Sequence, residues 1–168
     1  LKKIGLLSDT HGHIDDRILH HLQDRDEIWH AGDIGNAAVI ETLEKTAPVR
    51  AVYGNIDGTD IRKNFPEYIH EVIENTKILI IHIAGPFGKY NPKTSALLRE
   101  LKPDILICGH SHILKVQWDP SGFLYMNPGA AGKTGFHTVI TLLRFQLKGG
   151  KPENLELIEL GPRAERTK

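Results

Sequence analysis

At 168 residues the chain is long enough for one domain with a substantial core and too short for two comfortable ones. Apolar residues make up 40% and charged residues 25%, and 21 basic against 21 acidic side chains leave no net field to draw the chain to nucleic acid or a membrane surface. The single cysteine, Cys108, excludes an internal disulfide and a cysteine-rich zinc site.

In chain order, residues 2–7 (KKIGLL) read as a strand and 14–23 (IDDRILHHLQ) as a helix with Ile14, Ile18, Leu19 and Leu22 on one face. Residues 26–31 (DEIWHA) read as a second strand. Residues 36–46 (NAAVIETLEKT) form a helix with Asn36 as N-cap and Pro48 just past its end, and 49–53 (VRAVY) a third strand. This alternation implies right-handed crossovers and parallel strands, whose C-terminal ends share one sheet edge. Residues 67–75 and 77–83 then read as two strands joined by a tight turn near Asn75-Thr76, followed by a Gly- and Pro-rich loop over 84–92 and a helix over 94–101. Strands over 104–108, 113–118, 123–127, 137–147 and 155–160 finish the chain, with hairpin turns at Pro120-Ser121-Gly122 and Gly149-Gly150. The expected α/β fold is a parallel βαβ half followed by a meander, packed as two sheets flanked by helices. One domain is expected over 1–160, with a charged, frayed tail over 161–168. The N-terminal apolar run is too short for a signal-peptide core and no stretch reaches transmembrane length, so a soluble, cytoplasmic protein is expected.

Ten histidines are many for this length, and several fall where strands end. Strand one runs into Asp9-Thr10-His11, strand two into Gly32-Asp33 and strand three into Gly54-Asn55. The strand over 77–83 carries His82, and 104–108 leads into Gly109-His110-Ser111-His112. Alone, each of these is an ordinary turn former or a hydrogen-bonded histidine. Alternate residues of an extended segment share one face, which would pair Asp9 with His11 and His110 with His112. Together, Asp9, His11, Asp33, Asn55, His82, His110 and His112 offer nitrogen and oxygen donors and no thiolate. That set suits manganese, nickel, zinc, iron or cobalt and is too nitrogen-rich for a calcium or magnesium cage. Two such dications need a bridging carboxylate, and two aspartates with one hydroxide leave about one positive charge free for an anion.

The ordered motifs D-x-H, G-D, G-N-x-D, a strand-end His and G-H-S-H, over residues 4 to about 130, resemble the calcineurin-like metallophosphoesterase superfamily. The SDTHG opening and the NPG at 127–129 look most like its small bacterial and archaeal phosphodiesterase branch, to which the retromer subunit of the same fold is related. The resemblance implies a four-layer αββα sandwich of two mixed β-sheets flanked by helices. It implies one metal held by Asp9, His11, Asp33 and His112 and a second by Asp33, Asn55, His82 and His110, with Asp33 bridging. The implied reaction is hydrolysis of a small phosphodiester or nucleotide-like compound by a metal-held hydroxide, with Asp33 and Asn55 in the catalytic set and manganese the first choice of ion. Many relatives carry a proton-donating histidine directly after the Asn; here that residue is Ile56, as in the small branch, which disfavours a phosphomonoesterase. Asp57 is a further catalytic candidate, although a carboxylate beside two metals is ionised and a poor acid. The alternative from another class is a non-catalytic interaction scaffold, against which the complete donor set speaks.

Outside these motifs, Gly132-Lys133-Thr134 lacks the earlier glycine of a phosphate-binding loop, because position 127 is Asn. His30 is a candidate to hold a ligand residue in place, His13 supports a ligand at most, and His70 and His137 have no assigned partner. Phe87, Lys89 and Tyr90 either close over the substrate or pack their own loop. Edge strands in the second half could pair two copies into a homo-oligomer.

Overall fold

The computed structural model describes residues 1–137 and 139–162. The elements in order are β1 (Lys2–Leu7), α1 (Asp16–Leu22), β2 (Glu27–His30), α2 (Ala37–Glu44), β3 (Val49–Ala51), α3 (Thr59–Arg62), β4 (Tyr68–Ile73), β5 (Thr76–Ile81), α4 (Pro92–Leu101), β6 (Ile105–Ile107), β7 (Leu114–Trp118), β8 (Leu124–Pro128), β9 (Val139–Lys148) and β10 (Lys151–Pro162). Two five-stranded sheets form, in the orders β10-β9-β1-β2-β3 and β4-β5-β6-β8-β7. β1, β2 and β3 run parallel in the first; β5, β6 and β8 run parallel in the second. The expected four-layer arrangement is therefore present.

Alternation sets the layers. On β5, Ile78 and Ile80 enter the core between the sheets, with Ile4, Leu6, Trp29, Ile105, Ile107 and Phe145. Their neighbours Leu79 and Ile81 face outward beneath α4, with Leu97, Leu106, Phe123 and Tyr125. Leu7, Ile28 and Leu142 likewise face α1 and α2 and pack on Ile18, Leu22, Val39, Ile40 and Leu43. Strands covered on both faces read as near-continuous apolar runs, which is why KILII and DILIC stand out in the sequence.

The second half is not a meander. β9 and β10 return to the first sheet, β9 lying antiparallel to β1, and β7 is an antiparallel edge strand beside β8. Alternation identifies a strand but does not choose its neighbour. The β4–β5 hairpin turns on Glu74 and Asn75, both at positive φ, one residue earlier than expected, and Thr76 already pairs with Ile73. α4 starts two residues early because Asn91 caps it, accepting from the Thr94 amide at 2.8 Å, with Pro92 in its first turn. α3, a single turn, was not expected. Asn36 caps α2 as read, accepting from the Val39 amide. Gly161 and Pro162, assigned to the tail, extend β10, and residues 163–168 lie outside the described residues. Among the described residues no helix is long and apolar enough to cross a membrane.

The parallel strands are tied at their starts by Glu27. Its carboxylate accepts from Lys2 Nζ (2.7 Å), Trp29 Nε1 (2.8 Å) and Arg50 Nε (3.2 Å), joining β1, β2 and β3. Burial raises this carboxyl, but Arg50, Lys2 and Trp29 outweigh it and hold the pKa down at about 2 against an ordinary 4.5. A depressed carboxyl contributes stability above its unfolded pKa and loses it as pH falls through the folded one. Glu27→Gln is expected to cost about 1–3 kcal/mol at pH 7, measured by urea denaturation. The loss should be full above about pH 4.5 and fade toward about pH 2. A pH-independent difference would contradict this role.

Candidate metal centre

The C-terminal ends of β1, β2, β3, β5 and β6 meet at one seam between the sheets. Within the first sheet, the Asp9 amide donates to the Gly32 carbonyl and the His11 amide to the Asp33 carbonyl, each at 3.0 Å. Within the second sheet the Gly109 amide donates to the His82 carbonyl at 3.0 Å, and across the seam the His110 amide donates to Asp9 Oδ2 at 3.1 Å. Two clusters result: Asp9, His11 and His112, and Asp33, His82 and His110, the donor atoms of each lying within 4.8 Å of one another. Asn55 Oδ1 joins the second cluster, 3.1 Å from His82 Nε2 and 3.0 Å from His110 Nδ1. Asp33 Oδ2 stands between the clusters, 3.5 Å from His11 Nε2 and 3.2 Å from His82 Nε2. All seven predicted donors converge.

The reason they converge differs from the one expected. Asp9, His11, Asp33, His110 and His112 all have φ between 45° and 70°, so the D-x-H and H-x-H segments are left-handed turns rather than extended strand. These are five of the nine non-glycine residues at positive φ among the described residues. Each such position costs on the order of 1–2 kcal/mol, and strain concentrated at one spot marks a functional site. Close approach adds a second constraint. A Cβ on Gly54 would stand 2.1 Å from Asp33 Oδ1, so no side chain fits between that turn and the shared carboxylate.

Hydrogen-bond bookkeeping shows what the clusters lack. His82 Nδ1 lies 2.7 Å from the Ala31 carbonyl, which only accepts, so Nδ1 donates. In the neutral ring Nε2 is then a bare lone pair, yet it faces Asn55 Oδ1 and Asp33 Oδ2, both acceptors. His112 repeats the pattern. His137 Nε2 donates to the Gly132 carbonyl at 2.7 Å, so its Nδ1 accepts from His112 Nδ1 at 3.2 Å, and His112 Nε2 faces Asp9 Oδ1 at 3.1 Å. His11 Nε2 is buried with no hydrogen-bond partner, 3.8 Å from Asp9 Oδ1. Imidazole lone pairs and carboxylates pointed at one another repel unless positive charge sits between them. The ionisation preferences agree. The nearby Asp9 carboxylate raises the His11 pKa against burial; burial lowers that of His82, but Asp33 and Asp9 outweigh it and the net shift is upward. Burial raises the Asp9 carboxyl, but His11, His112, His82 and Ser8 hold it well below the ordinary range. The residues fit a pair of divalent cations held by nitrogen and oxygen.

Asp57 does not join the centre. Its Oδ2 accepts from the Gly54 (2.8 Å) and Ile34 (3.1 Å) amides and its Oδ1 from the Gly35 amide (2.8 Å), so it straps the β2 and β3 loops together. His30 touches no donor directly. Its Nδ1 accepts from the Gly32 amide, its Nε2 meets Thr10 Oγ1 at 3.0 Å, and burial lowers its pKa to about 4, so it acts as a neutral post under the Asp9–His11 turn. Phe87 and Tyr90 pack their own loop: Phe87 stands edge-on to Tyr125, and Tyr90 donates to Asp119 at 2.7 Å. Two residues without an expected role support the last motif. Asn127 Nδ2 donates to the Gly109 carbonyl and Ser111 Oγ, each at 3.0 Å, and His137 fixes His112 as described. Gly135 lies against the same ring, where a Cβ would come within 2.1 Å of His112 Nδ1. Only a contact across 25 residues reveals His137, so no local pattern marks it.

Residues 3–150 match the model of the calcineurin-like phosphoesterase superfamily domain. The chain belongs to that superfamily. This calcineurin-like phosphoesterase is 32% identical over 135 residues to a probable metallophosphoesterase of Methanocaldococcus jannaschii, spanning 76% of this chain and 67% of that protein. It is 28% identical over 143 residues to a phosphodiesterase of the same organism, spanning 76% and 82%. In fold it is similar to an archaeal phosphodiesterase (TM-score 0.75, 23% identity, 94% and 99% covered) and to a Vps29 single mutant from Entamoeba histolytica (0.74, 20%, 95% and 99%). The superfamily resemblance read from the motifs is borne out, and members of this family use divalent metals.

His137 and His13 separate support from bystander. His137→Ala is expected to weaken manganese binding roughly 10–100-fold in calorimetric titration, with His13→Ala unchanged. Equal behaviour of the two variants would contradict the orientation argued for His112.

Proposed function

We propose that this centre binds two divalent transition-metal ions and hydrolyses a small phosphodiester. The observation that carries the reading is the set of imidazole lone pairs turned toward carboxylate and carboxamide oxygens. One ion would lie among Asp9, His11, Asp33 and His112 and the other among Asp33, Asn55, His82 and His110, with Asp33 shared. The absence of a thiolate favours manganese, with nickel, zinc, iron and cobalt also compatible. When bound, such a pair supplies charge to clamp phosphoryl oxygens and a nucleophile from water at neutral pH.

The chain's own residues set the rest. Asp9 and Asp33 bring two negative charges, leaving positive charge in excess for an anionic ester. Asn55 and His110 are exposed at the mouth, where a phosphate can reach them, while Asp9, Asp33 and His82 are buried and held by backbone contacts. Ile56, exposed beside Asn55, donates no proton, so the leaving group departs unaided from that side and esters of acidic alcohols are favoured. The relative named a phosphodiesterase supports the diester reading. Vps29 has the same fold, but a donor set complete at all seven positions supports an enzyme over a scaffold.

Bis(4-nitrophenyl) phosphate is expected to turn over with added manganese. Asp33→Asn should lower kcat/KM by more than the roughly 10–100-fold typical of a residue that only supports a ligand. Folded protein that shows no turnover with manganese, nickel, zinc or cobalt would overturn the proposal.

A further inference from the structure

A cleft of about 460 Å³ opens beside His110, within the roughly 300–1,000 Å³ of small-molecule sites. Its walls are Ile83, Pro86, Phe87, Ile113, Lys115 and Tyr125. The floor is rigid: Phe87 stands edge-on to Tyr125 with ring centroids 5.3 Å apart, and both belong to the aromatic cluster under α4. Lys115 Nζ lies 4.9 Å from the centre of the Phe87 ring, where an ammonium favours aromatic faces. The rim is apolar in an unusual place. Two of its lining residues, Ile83 and Ile113, each directly follow a predicted donor, His82 and His112, and both are exposed; Ile56, outside the cleft, repeats the pattern after Asn55. Scattered exposed apolar residues need no explanation, but a group of them around one polar centre does.

The other large clefts do not fit this part. The cleft of about 650 Å³ by Tyr90, Leu98 and Pro103 is lined by none of the seven donors. The cleft of about 560 Å³ beyond Ile83 reaches the donors Asn55 and His82, but its walls carry Arg62, Glu67, Asn91 and Lys93, a polar lining less suited to an aromatic ring.

We propose that the Ile83–Phe87–Ile113–Lys115 cleft holds the retained ester arm of the substrate, and that this arm is a planar aromatic group. The inference rests on the phosphodiester reading above and specifies its substrate class. A phosphate at the His110 edge directs one arm over Ile113 and Ile83 toward Phe87 and Tyr125. There it buries apolar area against preformed walls and meets the Lys115 ammonium. In the reaction, water adds to phosphorus and the opposite P–O bond breaks. The leaving group departs as its oxyanion and takes a proton from solvent, the attacking water gives up its proton to solvent, and the aromatic monoester remains in the cleft until release.

The test compares phenyl 4-nitrophenyl phosphate with methyl 4-nitrophenyl phosphate. The leaving group is the same in both, so the missing proton donor cancels. The phenyl ester is expected to show kcat/KM at least about tenfold higher, the worth of partly burying a ring. Ile113→Ser, a change at an exposed position, should shrink that ratio at least threefold. A ratio within about twofold overturns the cleft assignment and leaves phosphodiester hydrolysis standing. Failure to cleave either ester removes the hydrolysis reading. Binding of methyl phenylphosphonate to zinc-loaded protein, followed by isoleucine-methyl NMR, then decides the cleft by itself. Shifts at Ile83 and Ile113 support it, and their absence overturns it.

Discussion

The structure depends on a repulsion that the fold holds in place. Asp9, Asp33, Asn55 and the imidazoles of His82 and His112 present acceptors to one another across distances of 3.1–3.2 Å. No apolar packing makes that arrangement favourable; cations do. The surroundings remove one escape, a swap of tautomer. His82 is pinned by the Ala31 carbonyl and His112 by His137, so neither can turn its proton inward without breaking a buried hydrogen bond. Five donor residues in the left-handed region add backbone strain at the same spot. Binding free energy from ions would offset both, which couples loading of the centre to stability of the seam.

Two sheets are needed to build this. One parallel edge delivers Asp9, His11, Asp33 and Asn55, and the other delivers His82, His110 and His112. The sheets are bolted together close to the centre by the His110 amide on Asp9 Oδ2 and by His82 Nδ1 on the Ala31 carbonyl. A displacement of one sheet against the other would therefore be felt first at the donors.

Much of this was legible in the residues. Doubly buried strands announce themselves as apolar runs, and donors placed after strand ends converge in parallel sheets without further assumption. Pairing was not legible: β9 and β10 alternate as strands should, but nothing local says that they flank β1. Nor was local conformation. Asp9–His11 and His110–His112 look like extended pairs with a shared face, whereas each is a left-handed turn, and His110 and His112 serve different clusters. Asp57 is another position whose surroundings were not legible: it follows Asn55 by two residues, and its carboxylate accepts from three backbone amides. His30 and His137 take their meaning from contacts with Thr10 and His112, distant in sequence.

Anomalous diffraction from crystals of the manganese-loaded protein tests the central claim most directly. Two peaks about 3.5–4 Å apart are predicted, one among Asp9, His11 and His112, the other among Asn55, His82 and His110, with the Asp33 carboxylate between them. A single peak, or none with the histidines still facing the carboxylates, would contradict the account.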